Sequence, residues 1–178
     1  IGNPPYILLQ NIPDSKPIFD FVKHIYKAAQ YKVDTYHLFI ERSINLLRNK
    51  GVLGFITPNT FLKNKYTVQL RKVIIDNCAI DKIILIPEKV FPNASVDTAI
   101  AIFLREQNPA ERHNNIIQSV QLESSLVEIK SLSFKEVRQS LFSEKDGYSF
   151  NLSFDKNTYS WVSKMQRFAE PLGNFATA

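Results

Sequence analysis

Residues 34–59 read DTYHLFIERSINLLRNKGVLGFITPN, and the apolar period changes once within that stretch. From Asp34 onward, Phe39, Ile40, Ile44 and Leu47 recur at helical spacing and predict a helix that turns them inward. Asn49-Lys50-Gly51 ends it, and Val52 to Thr57 then reads as a short buried strand stopped by Pro58-Asn59. Helix, tight turn and buried strand form the unit from which α/β sheets are built.

The same alternation continues on both sides. Downstream, Tyr66 to Asp76 predicts a helix with Leu70, Val73 and Ile74 on its inner face, and Ile83–Ile86 and Thr98–Leu104 predict two further buried strands. Near-continuous apolar strands between helices predict a sheet covered on both faces. Upstream, Asp14 or Ser15 can cap a helix whose apolar positions are Ile18, Val22, Ile25 and Ala29. Beyond the third strand, Ile116 to Leu122 alternates like an outer strand. Ser133 and Glu136 have the spacing of a capping box, with Leu132 and Val137 as its staple, so Phe134 to Phe142 is predicted helical. Aromatic alternation from Asp146 to Asp155 predicts a strand, and Tyr159 to Phe168 a last helix.

Composition narrows the class. At 44% hydrophobic residues, a chain of 178 residues can bury a real core. Lys and Arg exceed Asp and Glu by 22 to 17, a modest basic excess that fits a polyanionic partner without demanding one. A single cysteine, Cys78, excludes an internal disulfide framework and points to a reducing, cytoplasmic setting, where it reads as an ordinary semi-buried thiol. No apolar run approaches the roughly 20 residues of a membrane span. His24, His37 and His113 lack metal-ligand spacing, so no metal is expected. The first residues, Ile1-Gly2-Asn3-Pro4-Pro5-Tyr6, read as the interior of a larger protein.

Asn3-Pro4-Pro5-Tyr6 carries the chemical signal. An amino group on a planar ring is a poor nucleophile because its lone pair is delocalised into the ring. Two acceptors aimed at the amino hydrogens favour a tetrahedral nitrogen, and the Asn3 side-chain carbonyl and Pro4 backbone carbonyl can supply them. Consecutive prolines stiffen the loop, and Tyr6 offers a flat face for stacking an extruded base. The competing reading is that Pro4-Pro5 merely breaks the chain and Tyr6 packs in a core. Lys63, Lys65, Arg71 and Lys72 form a basic cluster with two readings, phosphate contacts or a solvated helix face.

With these blocks in order, the chain resembles the amino-methylating adenine-specific DNA methyltransferases of type II restriction-modification systems, including fused restriction-modification enzymes. The resemblance rests on Asn3-Pro4-Pro5-Tyr6, then Asp34-Thr35-Tyr36-His37-Leu38-Phe39, then Gly51 to Pro58 with Phe61-Leu62, a Leu70-Arg71 helix, Val90-Phe91-Pro92 before a last strand, and Pro171-Leu172-Gly173. It implies a partial Rossmann-like, S-adenosylmethionine-dependent methyltransferase fold lacking its N-terminal cofactor-binding strands, with double-stranded DNA containing a target adenine as partner. Asn3, Pro4, Pro5 and Tyr6 then match the catalytic loop, with Phe91 as a second stacking wall for the base. Phe39 matches an aromatic near the cofactor, with Tyr36 beside it. Phe39 and Phe91 also read as core residues, and Asp34 as a helix cap.

The implied organisation is a catalytic half over residues 1–108, an added α/β segment over 109–168, and the start of a linker to a target recognition domain over 169–178. The Gly-rich cofactor loop and its acidic ribose ligand have no counterpart here, so the chain alone is expected to be inactive. Two other readings share the motif: a protein-glutamine methyltransferase, and a non-catalytic DNA-binding module that keeps the fold.

Overall fold

The computed structural model describes residues 1–86, 97–122 and 132–153, together with residues 158, 160, 161, 164, 165 and 168–170. Its helices are α1 (Lys16–Ile25), α2 (Thr35–Leu46), α3 (Val68–Asn77) and α4 (Pro109–Asn114). Its strands are β1 (Val52–Pro58), β2 (Cys78–Ile86), β3 (Thr98–Arg105), β4 (Ile116–Gln121) and β5 (Lys135–Arg138), joined in one sheet of order β1-β3-β2-β4-β5. β3 runs antiparallel to both β1 and β2, β2 and β4 are parallel, and β5 is antiparallel to β4. The sheet is therefore mixed, and the two strands flanking β3 point the same way.

The expected helix-turn-strand unit is present as α2 and β1. Ile40 and Ile44 of α2 join Leu53 and Phe55 of β1 and Leu70, Val73 and Ile74 of α3 in the main core. Phe39 departs from the expectation: it is 47% exposed, because 100° per residue carries it off the face that Ile40 and Ile44 share. The sheet also departs from it. Leu53, Phe55, Ala99, Ala101 and Phe103 are buried, whereas Ile56, Ile100, Ile102 and Leu104 are only partly so. Among the described residues burial alternates, since α2 and α3 pack on one face, and apolar residues in sequence could not distinguish this from two covered faces.

α1 forms where the sequence places it, with Pro17 in its first turn. Its apolar stripe is not turned inward. Only Val22 of the helix is buried, while Ile18, Phe21 and Ile25 are 45%, 65% and 53% exposed. Val22 joins Leu9, Ala29 and Val33 in a second, smaller cluster separate from the main core. Glu41 of α2, itself buried, accepts backbone hydrogen bonds from Lys27 and Ala28 at 3.0 and 2.8 Å and so ties the connecting loop to the core.

The later part of the chain differs most from its sequence reading. Residues predicted as a helix from Phe134 form β5 and a 3-10 turn, Gln139–Leu141. Only Val137 of β5 is buried, the period-2 pattern of an edge strand. Glu136 lies opposite Gln118 in the ladder instead of closing a capping box. Pairing with β4 satisfies this segment's backbone through a long-range partner that local propensity could not anticipate. β5 therefore takes the edge, and β4 is an interior strand. Gln139 is 2% exposed; it accepts from Ile80 N at 2.8 Å and donates to Cys78 O at 2.8 Å, close to the bulge in β2 between Ile80 and Lys82. Cys78 is fully buried, and burial pushes its thiol up to about 12.

No strand forms over the described residues from Asp146 to Ser153. Glu144–Asp146 is a 3-10 turn ending at Gly147, whose φ of +62° is the left-handed conformation that glycine adopts most readily. Arg71 explains the turn. Its guanidinium is 1% exposed and donates to Gly147 O at 3.0 and 2.8 Å, to Phe61 O and Asn64 O at 2.8 Å each, and to Thr67 Oγ1 at 2.7 Å. Phe150 then stacks on Phe142 and meets Phe61 edge-on. Farther on, Thr158, Ser160, Trp161, Lys164, Met165 and Phe168 are helical, where the sequence predicts the last helix.

Replacing Arg71 with Met would leave several inward-facing oxygens without donors. We expect a loss of about 3 kcal/mol, read as a lower urea midpoint with an unchanged slope. A variant as stable as the parent would show that these hydrogen bonds contribute little.

Candidate active site

Asn3 to Tyr6 follows a short piece of backbone that pairs with the outer side of β1. Gly2 N donates to Gly54 O at 2.9 Å, Ile56 N donates to Gly2 O at 3.2 Å, and the bridge to Phe55 is parallel. Gly2 is needed for this approach, since a Cβ there would lie 2.9 Å from Phe55 Cε1. Pro4 is buried, whereas Asn3 and Pro5 are exposed and Tyr6 is half-buried.

Prolines at 4 and 5 remove two backbone donors, so the loop cannot be held by a ladder of its own. Thr35, the first residue of α2, holds it instead. Its hydroxyl donates to Pro5 O at 2.6 Å and accepts from Ile7 N at 3.1 Å, one bond on each side of Tyr6. Thr35 N donates to Ile7 O at 3.0 Å, and Leu8 bridges to Asp34. Nothing in the sequence marks Thr35 for this role, because its partners lie 28 and 30 residues away.

The Tyr6 hydroxyl lies 2.6 Å from Asn3 Oδ1 and 2.9 Å from Ile56 O, so its proton orients the amide oxygen or docks on β1. Burial, and then the Asp34 carboxylate, raise its pKa above the ordinary tyrosine value and keep it a donor. Behind it, Tyr36 is 1% exposed and meets the Tyr6 ring at right angles, with centroids 6.0 Å apart. The Tyr36 hydroxyl lies 3.2 Å from Thr60 Oγ1, and burial raises its pKa strongly as well. The structure thus brings Asn3, Pro4, Pro5, Tyr6 and Tyr36 together, with Phe39 one turn along α2 from Tyr36. Phe91 lies outside the described residues.

Asp34 and His37 close the start of α2 in a capping box, with His37 Nδ1 accepting from Asp34 N at 3.3 Å. Asp34 Oδ1 is buried without a hydrogen-bond partner among the described residues, and burial raises the carboxyl above its usual range. The basic cluster read from sequence separates. Arg71 is buried in the core and Lys72 pairs with Asp76 at 3.1 Å, while Lys65 turns to the Tyr66 ring. Among the described residues no group of His, Cys, Asp and Glu gathers as metal ligands, and no helix is long and apolar enough to cross a membrane.

Residues 1–91 match the Eco57I restriction-modification methylase family. The chain is 37% identical over 110 residues to the type II restriction enzyme and methyltransferase RM.Eco57I of Escherichia coli, covering 61% of this chain and 11% of that protein. It is 36% identical over 112 residues to the type II methyltransferase M.HincII of Haemophilus influenzae, covering 61% and 22%. The chain thus spans only about a tenth to a fifth of these relatives. Its fold is similar to that of the type IIG restriction endonuclease BpuSI (TM-score 0.58, 11% identity, covering 90% of this chain and 21% of that one). It is also similar to DrdV in its complex with DNA (TM-score 0.57, 16% identity, covering 97% and 20%).

His37 predicts a pH dependence. Burial pushes its imidazole down to about 4, so the folded chain resists a proton that the unfolded chain accepts near 6.5. Stability is then full above about pH 6.5 and falls as pH drops towards 4, by roughly 3 kcal/mol in total. Asp34, with its raised carboxyl, opposes this at the acid end, so the slope is read from neutral pH downward. His37→Gln keeps an acceptor for the cap and should flatten the slope of urea stability between pH 7 and 5. An unchanged slope would exclude His37 as its source.

Proposed function

The chain belongs to the Eco57I restriction-modification methylase family, and on that premise we propose that it supplies the target-base side of a DNA methyltransferase site. The reaction is transfer of a methyl group to the exocyclic amino group of an adenine turned out of the duplex. One observation carries the proposal: an exposed amide oxygen, Asn3 Oδ1, is held 2.6 Å from the hydroxyl of a half-buried ring that rests on a fully buried one. A satisfied core tyrosine needs no such exposed acceptor. A site that must polarise an amino group beside a flat ring does.

Asn3 Oδ1 has two lone pairs, so it can keep the Tyr6 proton and still accept one amino hydrogen. The Pro4 carbonyl accepts the other, and together they localise the nitrogen lone pair. Tyr6 stacks on the base, and its tilt is set by the edge of Tyr36. As the nitrogen takes the methyl carbon, the proton hydrogen-bonded to Asn3 Oδ1 is released and passes to water. Positioning and fixed dipoles carry the step, with no tuned general base.

S-adenosylmethionine is the methyl donor in this reading, supplying a methyl on a sulfonium whose sulfur leaves with the bonding pair. Phe39, one turn along α2 from Tyr36, is left 47% exposed, which supports its reading as an apolar wall for a flat ligand. Tyr36 is enclosed and acts through Tyr6. Phe91 is assigned as a second wall of the base slot, and a target recognition domain beyond residue 169 as the source of sequence specificity.

The test is methyl transfer from labelled S-adenosylmethionine to mixed-sequence DNA by the full-length protein that carries this chain. Tyr6→Ala should lower the rate by at least about a hundredfold. Tyr6→Phe, which keeps the ring but frees Asn3, should lower kcat by about tenfold with KM little changed. Label on protein instead of DNA would favour a glutamine-modifying enzyme, and no transfer to either would favour a non-catalytic module.

A further inference from the structure

We infer that Tyr31, Lys32, Lys65 and Tyr66 form a second contact surface for DNA, which takes the backbone phosphates of the strand beside the target nucleotide. The inference rests on the reading that this chain acts on DNA. It concerns residues that carry no part of the proposed methyl transfer.

Tyr31 is 68% exposed, yet its ring packs on that of Tyr66, with centroids 5.1 Å apart and planes inclined at 32°. The pair is assembled from distant segments, and over it stand two ammonium groups. Lys65 Nζ is 5.1 Å and Lys32 Nζ 5.6 Å from the Tyr66 centroid. Cation–π attraction places each ammonium against the Tyr66 ring. Among the described residues the ion pairs join Lys50 to Glu106, Lys72 to Asp76 and Lys82 to Asp81, and none includes Lys32 or Lys65. Backbone phosphates would supply each ammonium with the anionic partner that the described ion pairs do not give it, and would use donors already positioned.

The surface continues into an open concavity of about 760 Å³ lined by Gln10, Lys16, Phe19, Lys23, Gln30 and Tyr31 among others, with no carboxylate among the described lining residues. Two further lysines beside exposed amides and aromatic rings give the chemistry of a phosphate-backbone track: positive charge, neutral donors and flat faces.

Placement favours DNA over an unrelated anion. Of the two segments that carry the platform, one braces the Tyr6 loop and the other braces Tyr36 behind it. On one side, Gln10 Nε2 donates to Tyr31 O at 2.8 Å and Leu9 N to Val33 O at 2.9 Å, continuing the pairing that joins Ile7 to Thr35. On the other, Tyr66 N donates to Asn64 Oδ1 at 2.9 Å, in the turn that follows Thr60, the partner of Tyr36. Gln10 is four residues from Tyr6, so the chain between them spans at most about 14 Å. A strand presenting its base at Tyr6 passes over this surface.

Binding of the full-length protein to fluorescently labelled mixed-sequence duplex DNA, by anisotropy over a range of salt, tests the assignment. Lys32→Ala combined with Lys65→Ala should raise Kd about tenfold. It should also make the log Kd against log salt slope shallower by about 1.8, twice the ~0.9 of one phosphate contact. Tyr31→Ala should weaken binding with the slope unchanged, and Lys82→Ala, away from the platform, should do neither. A double variant with parental affinity and slope overturns the proposal. If the parent itself binds no DNA, the platform and the proposed function fall together. If the parent binds DNA but transfers no methyl group, only the methyl-transfer reading fails, and the salt slope still decides the platform.

Discussion

The hydroxyl of Thr35 holds the candidate loop on both sides of its tyrosine. It bonds the backbone at Pro5 and at Ile7, on either side of Tyr6, in a loop whose two prolines have no N–H groups to offer. A loop so poor in donors takes its shape from whatever grips it. Here the grip comes from the first residue of α2, where backbone N–H groups lack helical partners and the geometry depends on the cap. His37 Nδ1 supplies that cap only while the imidazole is neutral, and burial keeps it so.

Two other supports converge on the same ring. The Tyr6 hydroxyl lies 2.9 Å from Ile56 O of β1, and the Tyr36 hydroxyl pairs with Thr60 Oγ1 in the turn 59–62. That turn is itself held by Arg71, whose buried guanidinium reaches Phe61, Asn64, Thr67 and Gly147. Withdrawing a cation from water costs several kcal/mol, and hydrogen bonds to a charged group return about 1.5–3 kcal/mol each. Together the bonds outweigh that cost, and removing the side chain would leave inward-facing oxygens without donors. Arg71 also gives specificity of conformation: it joins α3, the turn after β1 and the segment around Gly147 in one arrangement.

This economy has a consequence at the surface. The segments 7–10 with 31–35 and 60–67, which hold Tyr6 and Tyr36, also carry Tyr31, Lys32, Lys65 and Tyr66 and bring them together. Lysines on a free helix face would lose side-chain entropy on meeting a phosphate. Lysines already seated over a ring lose less.

Much of this was legible in the sequence wherever the signal was local. The helix-turn-strand unit over 34–58, the buried strands β2 and β3, and the Asn-Pro-Pro-Tyr loop follow from apolar period, turn residues and the rigidity of proline, all properties of neighbours along the chain. What the sequence could not determine was decided by partners far away. Glu136 and Val137 form a strand and not a helix because β4 offers them an unpaired edge. Arg71 leaves the basic cluster because three inward-facing carbonyls from two segments meet at its guanidinium. Phe39 stays exposed, and Tyr36 becomes a prop for Tyr6 when its hydroxyl finds Thr60. Tyr31 and Tyr66, which no pattern joins, meet because the segments that brace Tyr6 and Tyr36 lie side by side. Local pattern determined which elements form. Only tertiary structure decided which backbone groups still needed partners, and satisfying those groups set the site.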